Sequence, residues 1–401
     1  MPRTVLLVHD GHGPIRGSER VLLTLMDGID PVRYRFVVLT NHDAMAEACR
    51  QRGIPTEVTP LRLLFAPRPR PRDLIDLLHY AARVSRLIHT HNVALIHANN
   101  ASACSWLFVA ALWCRVPLLA HIHNFWNRKM QLLCGMHHAD AIVGVSAGIM
   151  RGFQNDPVAA PRVHIIPAGL DGIAAPLVDR ATARGEFGLG SDRVVVALIG
   201  YLVALKRGDV AIAALRLLPP DVADQVTLLV VGDGPERATL ERQAQGAPVV
   251  FAGQRQDVHH LLRNVIDIVM LPSDSEAFGL VLLEAAAAGL PRIGSDVGGI
   301  PEAILHGVDG LIVPVGDAAA LAGAIVALVR DRVLARHYGE AAYARLRADF
   351  SVAGFLGTFT ALYDDLTGRP PPSRLARVSD AMRSVWYQLT SRAHAGMRPP
   401  L

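Results

Sequence analysis

"SEAFGLVLLEAAAAGLP", residues 275–291, sets two glutamates, Glu276 and Glu284, around an apolar run. On one continuous helix, positions eight apart lie about 80° apart around the axis, so the pair would share a face only loosely. The spacing fits better if Glu276 stands on a loop and Glu284 inside a helix. The preceding "IDIVMLPSD" (266–274) reads as a strand running into a polar loop. Phe278-Gly279 then opens the helix, and Gly289 with Pro291 stops it. This puts the backbone N–H groups of Phe278, Gly279 and Leu280 at a helix amino end, where anions bind. Carboxylates on either side of that end can accept hydrogen bonds from hydroxyls at two ends of a sugar-bearing phosphate ligand. A helix with an acidic first turn, stabilised by its dipole, satisfies the same spacing.

The same strand–loop–helix rhythm runs through the chain in two blocks. "VLLVHD" (5–10), "RFVVLT" (35–40), "ALIHAN" (94–99), "LLAHIH" (118–123), "AIVGVS" (141–146) and "VHIIPAG" (163–169) read as buried parallel strands. After a Gly/Ala/Pro-rich passage (167–190) come "VVVALIG" (194–200), "VTLLVVG" (226–232), "VVFAG" (249–253), "IDIVML" (266–271) and "LIVPV" (311–315). Two doubly wound α/β domains are expected: 1–170, a linker at 171–190, 191–350, and a C-terminal helix and tail at 351–401. Such domains bind ligands at the carboxyl ends of their strands, and a cleft between two of them is the expected site.

The chain has 401 residues, too many for one ordinary core, and its 51% hydrophobic content excludes extensive disorder. No run is apolar and long enough to span a bilayer, and "MPRTVLLVHDGHG" meets an acid and glycines too early for a signal peptide. Cys49, Cys104, Cys114 and Cys134 have no C-x-x-C spacing and read as reduced, buried thiols in a cytoplasmic protein. Residues 1–175 carry 18 basic and 12 acidic side chains, which is too mild for nucleic acid. Of 40 basic residues only Lys129 and Lys206 are lysines, which draws attention to "GYLVALKRGD" (200–209).

"AAAAGLPRIGSDVGGIPEAILHGVDGLIVPVGD" (285–317), "VGDGPERATLE" (231–241) and "FAG" (251–253) accompany the E-x7-E spacing. As a block over most of residues 5–365 they resemble the retaining glycosyltransferases of family 4. The resemblance implies the α/β GT-B fold, two doubly wound Rossmann-like domains facing across a cleft. It implies an acceptor-binding first domain and a second domain for a nucleotide-diphosphate sugar, the donor substrate, with no cofactor and no metal. On this footing Glu276 contacts the transferred sugar, Glu284 the ribose, and the amides of Phe278, Gly279 and Leu280 the sugar hydroxyls and phosphate. Lys206 falls on the family's diphosphate-binding lysine. The family's arginine is Tyr201 here, and Arg207 is the candidate to compensate.

"HDGHGPIRGSERVLL" (9–23) is similar to the family's glycine-glycine-x-glutamate segment, with Gly17, Ser18 and Glu19 in register, Gly17 able to approach the donor phosphate or the acceptor, and Arg16 replacing the first glycine. His121 and His123 end a strand without a third ligand at metal spacing. His123 matches the histidine that the family places beside the reacting sugar. "HTH" (89–91), "MHHAD" (136–140) and "VHH" (258–260) read as surface or helix-end residues, and the family's linker asparagine is Ala168. The family's chemistry is front-face attack, the donor phosphate taking the acceptor proton.

The expected reaction moves a hexosyl unit to a glycan or lipid-linked acceptor in cell-envelope polysaccharide assembly. Two stretches fit peripheral contact with an anionic inner membrane face: "RLLFAPRPRPRD" (62–73), and Leu375, Val378, Met382, Val385, Trp386 and Leu389 on one helical stripe. For the second, packing on its own protein fits equally well. A nucleotide-sugar epimerase of GT-B fold would need further acid/base residues around the sugar. An NAD-dependent dehydrogenase would need an intact glycine fingerprint, and here Arg16 stands at its third glycine. A non-catalytic sugar-nucleotide binder would lack the histidine at position 123.

Overall fold

Runs of Val, Leu and Ile without polar alternation form strands buried on both faces, as parallel sheets require. Among the described residues, one sheet contains β1 (Arg3–His9), β2 (Tyr34–Thr40), β3 (Thr56–Val58), β4 (Val93–Ala98), β5 (Leu118–Ile122), β6 (Ala141–Gly144) and β7 (Val163–Ile165). Its order is β3-β2-β1-β4-β5-β6-β7. A second sheet contains β8 (Val194–Ile199), β9 (Val226–Val231), β10 (Val249–Gly253), β11 (Ile268–Leu271), β12 (Arg292–Ser295) and β13 (Leu311–Val313), in the order β10-β9-β8-β11-β12-β13. All pairings are parallel.

The structure, a computed structural model, describes residues 1–61, 64, 70, 72–173, 178–370 and 373–390. Most of the Pro/Arg stretch 62–73 lies outside them. The chain forms two compact units: Met1–Ala168 with the stretch from Ala353 onward, and Gly169–Val352. In the second, the period of two along β8 divides the core. Val194, Val196 and Leu198 pack with the helices Gly208–Arg216 and Ala318–Arg330, while Val195, Ala197 and Ile199 pack with Val258–Asn264 and Leu280–Ala287. That is a doubly wound, Rossmann-like unit.

Two strands escape the sequence reading: β3 is three residues long, and β12 opens on a charge. Arg292 is 1% exposed yet sits in the sheet, because its guanidinium meets Asp309 Oδ1 at 3.0 Å and donates to the Ala303 carbonyl at 2.9 Å. Arg345 takes the other oxygen of Asp309 at 3.0 Å. Burial pulls the Arg292 pKa down to about 10 in spite of Asp309.

The expected linker is folded onto the second unit in its latter part. Asp179 caps the helix Arg180–Gly185, and buried Arg184 donates to the carbonyls of Val265 and Arg193 and pairs with Asp267. The expected tail completes the first unit instead. Helix Val352–Gly368 buries Phe355, Phe359, Leu362 and Tyr363, and Tyr34 donates to Asp364 at 2.8 Å.

Helix Arg374–Thr390 turns its polar face inward. Arg377 reaches Asp140 at 2.7 Å, Ser384 donates to Asp156 at 2.6 Å, and Leu375, Val378, Met382, Trp386 and Leu389 stay exposed. Asp156 is buried and Asp140 half-buried at that place, and both demand donors that the apolar stripe cannot supply. His137, expected at the surface, is buried, with Nδ1 3.5 Å from Asp156 Oδ2. Cys49, Cys104 and Cys134 are buried, but Cys114 is only half-buried. Among the described residues no helix is long and apolar enough to cross a membrane.

Candidate active site

Strand order reverses between β8 and β11 in the second unit, and the loops leaving these strands carry the expected donor residues. Close backbone approach fixes the first loop. A Cβ on Gly232 would lie 1.9 Å from the Gly200 carbonyl, and one on Gly234 would lie 2.4 Å from that of Leu202. Only glycine fits either place, and both have positive φ. Leu202 N–H donates to Asp233 O at 2.9 Å, and Asp274 N–H donates to Leu205 O at 2.9 Å. The second bond ties the loop after β8 to the loop after β11.

Lys206 and Glu276 meet at this junction as a hydrogen-bonded ion pair with side chains 26% and 15% exposed. Gly299 N–H holds the Glu276 carbonyl at 3.1 Å. Arg207, in the left-handed region at φ 51°, precedes the helix Gly208–Arg216. Its fork donates to both oxygens of Asp209 (3.0 and 3.1 Å) and to Asp274 (2.7 Å). Those bonds raise its pKa further. The guanidinium expected to replace a cation at Tyr201 is thus engaged by two carboxylates, and Tyr201 itself is exposed.

Glu276 stands on the loop, and Glu284 is the fifth residue of the helix Leu280–Ala287. The helix begins one residue later than expected: Gly279 is its N-cap, at φ 88°. Phe278 is buried against Phe350, with ring centroids 5.6 Å apart, and so anchors the turn. Glu284 is buried with His259 Nε2 4.0 Å from its Oε1.

The first unit reverses its strand order between β1 and β4, and a second polar cluster gathers there. Gly17 opens the helix Gly17–Gly28, and Glu19 two residues on caps it by accepting Arg16 N–H at 3.1 Å. The other Glu19 oxygen lies 3.1 Å from His9 Nε2. Burial alone would raise the Glu19 pKa; the hydrogen bond from His9, with backbone N–H groups, holds it down to about 2. His42 Nδ1 lies 3.8 Å from the same oxygen and has no hydrogen-bond partner among the described residues. The ligand atoms of His9, Glu19 and His42 lie within 4.8 Å of one another, as metal ligands can. The contact between His9 and Glu19 is itself a hydrogen bond.

His123 follows β5, half-buried, with Nε2 3.0 Å from Asn99 Oδ1. Asn99 Nδ2 lies 3.2 Å from His9 Nδ1. Behind it, His121 and His97 are fully buried, and His97 Nδ1 meets the Tyr363 hydroxyl at 2.6 Å. Burial lowers the pKa of His123 to about 3. The structure thus groups Lys206 with Glu276 in one unit and His123 with the Gly17 helix in the other. Sequence reasoning missed His9 and Asn99 as site residues and placed Glu19 only by its register in the glycine-rich segment. The signal was there: a polar residue closes the apolar run of β1, and another directly follows β4.

Two family descriptions match in succession, "Glycosyltransferase Family 4" over residues 15–172 and "Glycosyl transferases group 1" over 179–345. The chain is a glycosyltransferase. The enzyme is 26% identical over 306 residues to N-acetyl-alpha-D-glucosaminyl L-malate synthase of Bacillus anthracis, covering 72% of this chain and 79% of that protein. It is 36% identical over 212 residues to D-inositol 3-phosphate glycosyltransferase of Nocardia farcinica, where the match spans 50% of this chain and about half (46%) of that relative. Among solved structures, Anabaena HepE in complex with UDP and glucose superposes with a TM-score of 0.76 at 24% identity, covering 89% of this chain and 98% of that one. The α/β fold is that of the GT-B class.

Proposed function

We propose that the enzyme transfers a hexosyl unit from a nucleotide-diphosphate sugar to a glycan or lipid-linked acceptor, with retention at the anomeric carbon. The observation that carries this reading is the meeting of Lys206 and Glu276 at the switch point between β8 and β11, beside the helix that bears Glu284. A fixed cation there offsets the charge that builds on a leaving diphosphate, and a carboxylate beside it accepts sugar hydroxyls. Phe278, Gly279 and Leu280 present the turn to the phosphate, and Glu284 takes the ribose. Arg207 holds the loop through Asp209 and Asp274. In the first unit Gly17 lets the backbone approach the ligand, and His123 lies beside the reacting sugar.

In this reading the second unit binds the donor and the first the acceptor, and no metal is required. The HepE complexes with UDP and UDP-glucose make UDP-hexoses the first donors to try. The exposed stripe of Leu375, Met382, Trp386 and Leu389, with Arg374 and Arg383 on the same helix, supports peripheral contact with anionic lipid during cell-envelope polysaccharide assembly.

The test is thermal-shift screening against UDP-, GDP- and ADP-hexoses in EDTA, followed by NMR of the product formed with the stabilising donor. A ligand at 100 times its Kd stabilises by about 2.7 kcal/mol. An inverted anomeric centre refutes retention, and loss of turnover in EDTA refutes metal independence. An epimerised nucleotide sugar with no transfer product refutes the transferase reading of this site.

A further inference from the structure

We propose that Glu19, His9 and Asn99 are positioning residues that lock the tautomer of His123, with its proton on Nε2 and its Nδ1 kept as an acceptor for a ligand hydroxyl. The proposal rests on the reading of His123 as a contact to the reacting sugar. A hydrogen-bond chain with an acceptor-only group at one end has a fixed direction, and this chain has such a group. The Glu19 carboxylate accepts only, so the ring nitrogen 3.1 Å from its Oε1, His9 Nε2, carries the proton. The Asn99 atom 3.2 Å from His9 Nδ1 is the amide nitrogen, a donor, so His9 Nδ1 accepts and the ring is neutral. The same nitrogen donates to the Ser18 carbonyl at 3.2 Å.

That second anchor is independent of the first, and it matters because amide orientation has to be inferred from partners. Turning Asn99 over would set its oxygen against a carbonyl oxygen. Both anchors therefore aim Asn99 Oδ1 at His123 Nε2, 3.0 Å away, which must donate. His123 Nδ1 is left with no hydrogen bond to a described residue. The other ionisable neighbour is His121, its ring tilted 41° to that of His123 with centroids 4.0 Å apart, and His97 lies beyond it. All four links sit at the switch point between β1 and β4, so the lock is built into the fold rather than into one side chain.

The consequence is chemical. A neutral imidazole offering a lone pair recognises a hydroxyl and repels a carbonyl, carboxylate or fluorine at the same place. It does not act as an acid. Ligand analogues with a deoxy or fluoro group at the facing position therefore lose more than their steric difference accounts for.

The test uses the full-length enzyme labelled with 15N-histidine and long-range 1H–15N spectra. His123 is expected with protonated Nε2 and bare Nδ1, unchanged from pH 8 to pH 5. A bare Nε2 on His123 or on His9 in the unsubstituted enzyme overturns the proposal. Asn99→Asp sets a carboxylate against the Ser18 carbonyl and beside His123. It should draw a second proton onto His123, add an acid limb to the pH profile of kcat/KM and cost about tenfold in kcat. A tautomer and pH profile unchanged in Asn99→Asp also overturn it. If that variant does not fold, the spectrum of the unsubstituted enzyme decides alone. Full turnover in His123→Ala refutes the sugar contact and leaves the tautomer result standing, so the two failures are distinguishable.

Discussion

Acidifying the enzyme from pH 7.5 to 5.5 should weaken its first unit through His97 and His121. Burial keeps both rings neutral: His97 is lowered to about 3 by burial first and His123 second, and His121 is lowered well below the usual range. Once unfolded, each takes up a proton near pH 6.5. Below that pH the unfolded chain binds more protons, so stability falls as pH falls and is flat above about 7. For a ring that stays neutral in the fold, the loss at pH 5.5 is about 1.4 kcal/mol whatever its exact folded pKa, hence about 3 kcal/mol for the pair. Glu19 does not interfere. Its depressed pKa contributes stability that is lost only as pH falls from about 4.3 towards 2. The assay is tryptophan fluorescence in urea, because Trp106, Trp113, Trp126 and Trp386 all belong to the first unit. His97→Gln should shrink the pH-dependent loss by about 1.4 kcal/mol. Equal stability at the two pH values, or an undiminished loss in His97→Gln, refutes the account.

Lys206→Ala should lower kcat by ~10²–10³, and Lys206→Arg should restore little of it, since a planar fork does not replace a point charge. Turnover near normal in steady-state assays would remove Lys206 from the chemistry. Glu284→Gln should raise the donor KM more than it lowers kcat, whereas Glu276→Gln should mainly lower kcat; identical kinetic profiles would refute that division. Asp309→Ala strands two guanidinium groups, one of them wholly buried, and should destabilise the second unit by about 3–5 kcal/mol. Calorimetry or circular dichroism must read that change, since none of the tryptophans lies in that unit.

The apolar strands were legible because a parallel sheet buried on both faces leaves a signature in consecutive residues. β12 was not, because an arginine at a strand start reads as surface until its partners are known. Asp309 lies seventeen residues downstream and Arg345 further still, so only the folded chain brings them together. The helix Arg374–Thr390 was misleading for a related reason. Its apolar stripe is plain in the sequence, but Asp140 and Asp156 decide which face goes inward. For the candidate site, E-x7-E and the scarcity of lysine pointed to Glu276, Glu284 and Lys206. The pairing of Lys206 with Glu276 depends on two loops converging across seventy residues. His9 and Asn99 come together from strands ninety residues apart, beyond the reach of any local pattern.

The first unit is discontinuous in the chain: Phe359, stacked 5.8 Å from His97, and Tyr363, bonded to it, come from the segment after Ala353. On the ribosome, the whole second unit emerges before these residues do. At about 5–20 residues per second that interval is on the order of 10–40 s. During it, the first sheet has neither the aromatic cover of its central histidine nor Arg377 to pair with Asp140. The order of completion is therefore the reverse of the order of synthesis, and the unit begun first is finished last. A nascent chain stalled just before Ala353 should carry a protease-resistant second unit beside a first unit that is still open to cleavage.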